Sequence, residues 1–337
     1  MASTSGSKRS IVELMRVEES ARDLPWLEES LQNAVELELA TLPVYFSGLW
    51  SIQEQSGEVY NLIMSVAMEE MLHLGLTCNM VKAIGCSPLI TVPSYPGPLP
   101  GGVRPYLTVY LAGLSPDSVA MYMQIELPEH PAALFAEETF PTIGAFYDAI
   151  YAAFQSLSPP LSATGQQSTT LSVPNPSDGN PLTEPLQPLT TLDEIEQAIT
   201  TIKDQGEGTS TSPDAPEFGG ELAHYYRFGE IYNGKRLIQV DGQWQYAGDS
   251  VPFPACYPVA QVPPEGYPDV PQAQAFDKQF STLIADLQNA WAGDGDPQSL
   301  GDAIGAMFGL YGLALPLIQT PIPGGIGNYG PDFKLVA

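Results

Sequence analysis

The stretch "AMEEMLHLGL" (residues 67–76) places a glutamate and a histidine three positions apart inside a long apolar run. Residues spaced by three or four lie on one face of a helix. A continuous stripe with this spacing consists of Val59, Ile63, Val66, Glu70, His73, Thr77, Met80 and Ile84. The pattern predicts a helix over about 58–84, with Glu70 and His73 facing the core.

The same Glu-x-x-His spacing recurs as Glu221 and His224, in a helix predicted at 219–233. A third apolar stripe marks a helix at about 24–55, and Glu38 fills the one gap in that stripe. The chain has only three histidines, and two of them belong to the repeated motif. These residues therefore point toward one shared interior.

Several carboxylates in one core repel each other, and burial penalises each charge. A bound cation supplies the missing countercharge, and carboxylate with imidazole suits iron or manganese. A four-helix bundle with a Glu from two helices and Glu-x-x-His from the other two is the di-iron carboxylate pattern. Three of these four elements are present in the expected order. The predicted metal ligands are Glu38, Glu70, His73, Glu221 and His224.

The net charge of −27, from 39 acidic and 12 basic residues, argues against a nucleic-acid or anionic-membrane partner. Three scattered cysteines do not form a disulfide framework, and residues 1–15 contain no continuous apolar segment of the signal-peptide type. We therefore expect a cytoplasmic protein. The apolar segment 303–322 is expected to be a buried helix that stops before Pro316.

The predicted fold class is mainly α: a four-helix bundle with long Pro/Gly-rich insertions, a small β-hairpin and extra C-terminal helices. A lead segment, 1–23, precedes a single domain over 24–337. The remaining bundle helix is predicted at 141–157, and the two insertions cover 87–140 and 158–218. A C-terminal extension over 234–337 contains the two extra helices, at about 271–292 and 298–315. Within the insertions we expect a short strand at 106–111, a short helix at 116–124 and an irregular loop at 158–190.

The sequence resembles the ferritin-like family typified by the iminophenyl-pyruvate dimer synthases of bisindole biosynthesis. The resemblance runs from about residue 25 into the C-terminal region. It is carried by "ELELATLPVYFSGLWS", "EEMLHLGLTCNMVKAIGCSP", "GGVRPYLTVYLAGLS", "QIELPE", "PTIGAFYDAI", "DQGEG" and "ELAHYYRFGEIY". It implies a ferritin-like bundle and oxidative chemistry on amino-acid-derived imines, although many members have no obvious substrate.

The resemblance also implies a carboxylate on the third helix, where this chain has Ala145. The site could hold two metals with an open position, hold one metal, or have lost redox function. Substitute ligands are Glu126 in "QIELPE" and Glu207 in "DQGEG", with Glu138 a weaker candidate. His130 is assigned no role.

Residues beside the ligands have supporting roles or none. Glu36 and Glu69 lie off the stripes and are expected to contact ligands or solvent. Tyr45, Tyr147 and Tyr225 could orient ligands or carry radicals, and packing is the alternative.

The expected function is that of a non-haem iron oxidase or oxygenase in secondary metabolism, with one or two iron ions, or manganese. Its partners would be a small organic substrate and dioxygen, and the oligomeric state is left open. A storage-like metal protein without organic turnover and a metal-free structural bundle are the alternatives.

Overall fold

The computed structural model describes residues 8–128, 142–175, 181–208, 212–215 and 221–336. His130 and Glu138 lie outside the described residues. The helices are α1 Ile11–Met15, α2 Leu24–Ser51, α3 Glu58–Ala83, α4 Pro116–Ile125, α5 Ile143–Leu157, α6 Leu192–Gly206, α7 His224–Asn233, α8 Pro271–Ala290 and α9 Pro297–Ile318. The strands are β1 Thr169–Pro174, β2 Pro181–Leu186, β3 Asp214–Ala215, β4 Glu221–Leu222, β5 Lys235–Val240 and β6 Gln243–Ser250.

The two longest helices, α2 and α3, pack along each other at the centre of the molecule. Most of their residues are buried on every face, as expected for helices that are covered on all sides. Asp23 caps α2 by accepting a hydrogen bond from the Trp26 N–H, 3.0 Å away. The predicted helices at 24–55 and 58–84 are confirmed, and α2 ends four residues earlier than expected.

The helix that lies along α7 is α4, which the sequence placed inside an insertion. The predicted bundle helix at 141–157 does form as α5, but α5 packs mainly on α6 and α2. Thr142 caps it by accepting from the Ala145 N–H at 3.1 Å. The layer next to the paired helices α2 and α3 is thus built from α4, α5, α6 and α7.

Residues 221–223 are not helical, which corrects the predicted start of α7. Glu221 lies in β4, which pairs with β3, and Ala223 is the residue before the first helical turn. The segment leads into His224 as an extended chain.

The insertions contain more β-strand pairing than the sequence indicated. The expected irregular loop at 158–190 is wrong in part, because β1 and β2 form an antiparallel pair within it. The expected strand at 106–111 is wrong, since only an isolated bridge joins Val109 to Gly97. The hairpin of β5 and β6 is confirmed, with its turn at Asp241 and Gly242, both at positive φ.

The last two helices, α8 and α9, pack together and cover α2. Helix α9 continues through Pro316 to Ile318, so the predicted stop is wrong. Of the described residues only α9 is long and apolar enough to cross a membrane, and a third of its most apolar window is buried. The expectation of a buried helix is therefore wrong in part, because some of its apolar surface faces outward, including Phe308, which is 59% exposed.

Two buried carboxyls, Asp277 of α8 and Asp332 in the C-terminal segment, lie close together under the end of the chain. Asp277 Oδ1 accepts from the Lys334 N–H at 3.0 Å, and Asp332 Oδ2 accepts from the Tyr267 N–H at 2.7 Å. Burial, and then the neighbouring Asp332 charge, raise the pKa of Asp277 to about 7. The folded state therefore favours the protonated Asp277.

We predict that Asp277 weakens the fold as the pH rises. A carboxyl whose pKa is raised in the folded state stabilises the fold fully at a pH below its pKa in the unfolded chain, which is about 4. That stabilisation is lost as the pH rises through the folded-state pKa of about 7. Asp277→Asn should therefore raise the Tm at pH 8 and leave it almost unchanged at pH 4. Thermal unfolding across that range checks this, with Asp269→Asn at an exposed position as control. An equal effect of Asp277→Asn at both pH values would contradict the prediction.

Candidate metal centre

Five buried side chains from four helices meet between α2, α3, α4 and α7. Glu38 comes from α2, Glu70 and His73 from α3, Glu126 from the end of α4, and His224 from the first position of α7. Each is at most 5% exposed. The structure thus brings together Glu38, Glu70, His73, His224 and the substitute candidate Glu126.

These residues form two groups that share one member. Glu38, Glu70 and His73 make the first group, and Glu70, Glu126 and His224 make the second. Within each group the possible ligand atoms all lie within 4.8 Å of one another. Glu70, with two carboxylate oxygens, is placed to contribute to both groups.

The two imidazole rings stack with their centroids 5.5 Å apart and present Nδ1 to the carboxylates. His73 Nδ1 lies 3.7 Å from Glu38 Oε2 and 3.6 Å from Glu70 Oε1. His224 Nδ1 lies 2.9 Å from Glu70 Oε1 and 3.6 Å from Glu126 Oε2. Both inner nitrogens therefore face the carboxylate oxygens of their own group.

The outer nitrogen of His73 is fixed by a chain of hydrogen bonds. His73 Nε2 lies 2.8 Å from Gln205 Oε1, and Gln205 Nε2 donates to both oxygens of Glu184 at 3.0 Å. Because the Glu184 carboxylate accepts from the amide nitrogen, the amide oxygen of Gln205 faces His73. His73 then carries a proton on Nε2 and directs Nδ1 at the centre.

The outer nitrogen of His224 contacts a charged partner instead. His224 Nε2 lies 2.8 Å from Glu69 Oε2, and Arg227 Nη1 donates to Glu69 Oε1 at 2.8 Å. Arg227 Nη1 also donates to Ser65 Oγ at 3.0 Å. Glu69, expected to contact ligands or solvent, is thus a buried partner of His224 whose charge Arg227 balances.

Each carboxylate of the centre also accepts a hydrogen bond from a hydroxyl. Tyr147 donates to Glu38 Oε1, Tyr45 donates to Glu126 Oε1, and Thr41 donates to Glu70 Oε2 at 2.9 Å. These contacts orient the carboxylates. Tyr225 lies apart from them, in a small apolar cluster with Tyr226.

Burial and mutual repulsion disfavour ionising all the carboxylates together. Burial, and then the Glu70 charge, raise the pKa of Glu38 to about 8 and also raise the pKa of Glu126. Burial acts to raise the pKa of Glu70, but its contacts with His224 and His73 outweigh burial and lower it. Burial acts to lower the pKa of both histidines, but their contacts with the carboxylates outweigh burial and raise it, so protons balance the charge of the cluster unless a cation replaces them.

A cation fits the arrangement of His224 and Glu70. His224 Nδ1 has no hydrogen bond of acceptable geometry, although Glu70 Oε1 is 2.9 Å away. A nitrogen lone pair and a carboxylate oxygen this close repel each other unless a proton or a cation lies between them. Two imidazoles with three carboxylates are also the ligand types that iron and manganese accept.

A small cavity of about 30 Å³ opens beside the first group. Its lining includes Glu38, Tyr147, Gly144 and Glu207. This volume holds a molecule the size of water or dioxygen. Ala145, where a carboxylate was expected, is half-buried and does not line the cavity. The third carboxylate of the cluster comes from α4, as Glu126.

Glu207, the other substitute candidate, belongs to neither ligand group. Its Oε1 accepts from the Gly144 N–H at 2.8 Å. Burial raises the pKa of Glu207 to about 7, and the Gly144 N–H and Arg104 act in the opposite direction. The structure thus places Glu207 at the cavity wall, held by the backbone of α5.

Glu221 is not brought to the cluster. Its Oε2 lies 3.2 Å from Arg227 Nη2, and it belongs to neither ligand group. The rule that residues three apart share a face holds only inside a helix, and Glu221 precedes the first turn of α7. The predicted pairing of Glu221 with His224 as two ligands of one centre is therefore not what the structure shows.

Comparison with known proteins agrees with this architecture. The family model described as ferritin-like matches residues 31–233, more than half of the chain. The chain belongs to the ferritin-like family. A solved structure of a ferritin-like protein from Caulobacter vibrioides is similar, with a TM-score of 0.63 and 24% identity, covering 93% of this chain and 99% of that one. Comparison with curated proteins found no match.

Three partners in the ferritin-like centre were missed from the sequence. Arg227 follows His224 by three positions, so helical spacing could have indicated it. Gln205 lies in the "DQGEG" motif, from which only Glu207 was predicted to have a role. Glu184 comes from β2, in a segment without any periodic signal, and nothing in its surroundings indicated it.

We predict that Glu69→Gln weakens metal binding at this ferritin-like centre about 10- to 100-fold. The substitution keeps the side-chain shape but removes the charge that makes the His224 imidazole a stronger donor. Anaerobic titration of Fe(II) against a coloured chelator measures the affinity. Glu54→Gln, at an exposed position after α2, is the control. Unchanged iron affinity in a folded Glu69→Gln protein would show that the Glu69 charge is irrelevant to binding.

Proposed function

We propose that this protein is an iron-dependent oxidoreductase that uses dioxygen at a two-metal centre and acts on a small, amino-acid-derived compound in a biosynthetic pathway. The observation that supports it most is Glu70, which lies between two Glu/His groups. Glu70 Oε1 lies 3.6 Å from His73 Nδ1 and 2.9 Å from His224 Nδ1, so one carboxylate is within reach of a cation in either group.

The protein residues would divide between the two cations. Glu38 and His73 would hold one ion, Glu126 and His224 would hold the other, and Glu70 would contact both. When bound, a pair of ferrous ions supplies the electrons that reduce dioxygen. Manganese suits the same ligands, and iron is proposed because oxidative chemistry is the expectation from the family resemblance.

Two tyrosines are placed to keep protons at the centre. Tyr147 holds its hydroxyl proton against Glu38, and Tyr45 holds one against Glu126. Burial, and then the neighbouring carboxylates, raise the pKa of both hydroxyls well above the usual range. Both therefore stay protonated and orient the carboxylates in a region that excludes bulk water.

Iron oxidation without organic turnover is a second candidate. It is favoured by the small volume beside the ligands, about 30 Å³, which admits dioxygen but not an amino-acid-derived molecule. In the oxidase proposal the organic substrate needs additional room, which side-chain movement at the cavity wall would have to provide.

The shared position of Glu70 predicts different metal contents for single variants. Glu70→Ala removes a ligand from both groups and should abolish binding, whereas Glu38→Ala and Glu126→Ala should each lower about two ions per chain to about one. Iron content after anaerobic loading measures this, with Glu54→Gln as the control. Equal losses in all three variants would argue against two groups joined by Glu70.

Oxygen consumption tests the chemistry. The iron-loaded protein should consume dioxygen with a change in its absorption spectrum, and Glu70→Ala should not. Adding imines derived from aromatic amino acids distinguishes the two candidates: an organic product detected by mass spectrometry supports the oxidase. Oxidation of iron in proportion to oxygen, with no product from any imine, would support the second candidate.

A further inference from the structure

A second and much larger cavity lies along a different face of α2 and α3 from the one that carries the metal ligands. Its volume is about 310 Å³, and α2, α3, β1, α8 and α9 contribute to its walls. Representative lining residues are Leu42, Phe46, Met71, Leu283, Ile304 and Met307. Among the described residues, none lines both this cavity and the small one beside the ligands.

The walls of this cavity are apolar. No ionisable side chain is found among the described residues that line it, and the hydroxyl groups are those of Thr169, Thr170 and Ser172. An apolar molecule entering it would release its hydration water without leaving a buried charge unpaired. A molecule with a negative charge would find no cation here, in a protein of net charge −27.

One rim of the cavity reaches the surface between β1 and α9. Thr170 and Ser172 are exposed on β1, and Phe308 is 59% exposed on α9. The hydroxyls therefore stand at the entrance while the deeper walls are aliphatic and aromatic. A ligand with one uncharged polar group could place it at these hydroxyls.

The volume sets the size of the occupant. A cavity of about 150 Å³ holds one benzene molecule, so about 310 Å³ accommodates about twelve non-hydrogen atoms. This is the lower end of the range for small-molecule sites. A helix or strand from another chain needs far more space than that.

We propose that this cavity is a binding site for a neutral, largely apolar small molecule of about this size, with an alcohol or carbonyl group held near Thr170 and Ser172. The site is separate from the metal centre and does not depend on bound metal. Alkyl and simple aromatic alcohols have the required chemistry.

Calorimetric titration with nonan-1-ol and with nonanoate at pH 8 tests the site. We expect nonan-1-ol to bind saturably, one per chain, about tenfold or more tighter than nonanoate. Thr170→Lys supplies a cation at the entrance and should narrow that difference by improving nonanoate binding. Equal affinity for the two ligands in the unmodified protein, or no saturable binding of either, would overturn the proposal.

Filling the cavity supplies the second test. Ala303→Leu adds three carbon atoms at a buried wall position and should weaken nonan-1-ol binding about tenfold or more. Gly305→Leu places the same leucine side chain on the same helix at a position where it meets open space, and should leave binding unchanged. Met307→Phe is a second filling variant at a half-buried position, for use if Ala303→Leu does not fold.

Two further measurements distinguish this site from the metal centre and from an interface between two copies of the chain. Glu70→Ala, which should remove metal, is expected to bind nonan-1-ol as the unmodified protein does, so failure of the metal proposal leaves this one standing. Sedimentation at the titration concentrations should show no change in mass on ligand binding. Displacement of a second copy of the chain by nonan-1-ol would overturn the proposal, because that copy would be the natural occupant.

Discussion

Glu70 lies in the interior with two imidazoles and two further carboxylates around it. The other groups of the centre are positioned to offset this concentration of buried charge. Burying one carboxylate without compensation costs several kcal/mol, and neighbouring buried carboxylates resist ionising together. Hydroxyl donors at Glu38, Glu70 and Glu126 reduce the cost but supply no positive charge. The pKa of Glu38 rises to about 8 for this reason. A cation removes the same repulsion without protonating the ligands.

Helices α2 and α3 are buried on all sides, and each contributes one face to the polar centre and another to the apolar cavity. Residues 38, 41 and 45 of α2 face the polar centre, whereas residues 39, 42 and 46 face the apolar cavity under α8 and α9. A helix that is buried all round needs cover on every face, and the C-terminal helices cover the face that carries residues 39, 42 and 46. The extension beyond the bundle is thus part of the core.

Helical periodicity predicted much of the centre, because Glu38, Glu70 and His73 lie inside long, regular helices. It failed at Glu221, since Glu221 pairs as part of β4 with β3 and α7 begins only at His224, so the two residues do not share a helical face. Glu126 carried no periodic signal and came from the family resemblance. Glu184 and Gln205 act across large separations in sequence, as in the contact of Gln205 with His73, 132 residues apart. The periodicity of apolar residues within one helix or strand contains no information about contacts between distant segments. The β1–β2 pair was missed for the same reason.

The outer partners of the two histidines make the centre unequal. His73 Nε2 faces a neutral amide, whereas His224 Nε2 faces the carboxylate of Glu69. A carboxylate partner makes an imidazole a stronger donor than an amide does, so the position bounded by Glu126 and His224 has the more basic nitrogen. The position bounded by Glu38 and His73 has the weaker donor, but both of these residues line the 30 Å³ cavity, whereas Glu126 is the one residue of the other pair that does and His224 does not. In the proposed centre, tight binding therefore belongs to one side and access for a small reactant to the other. A symmetric bundle motif would not create this difference. It arises from Gln205 and Glu69, one contributed by the insertion and one by the position just before Glu70.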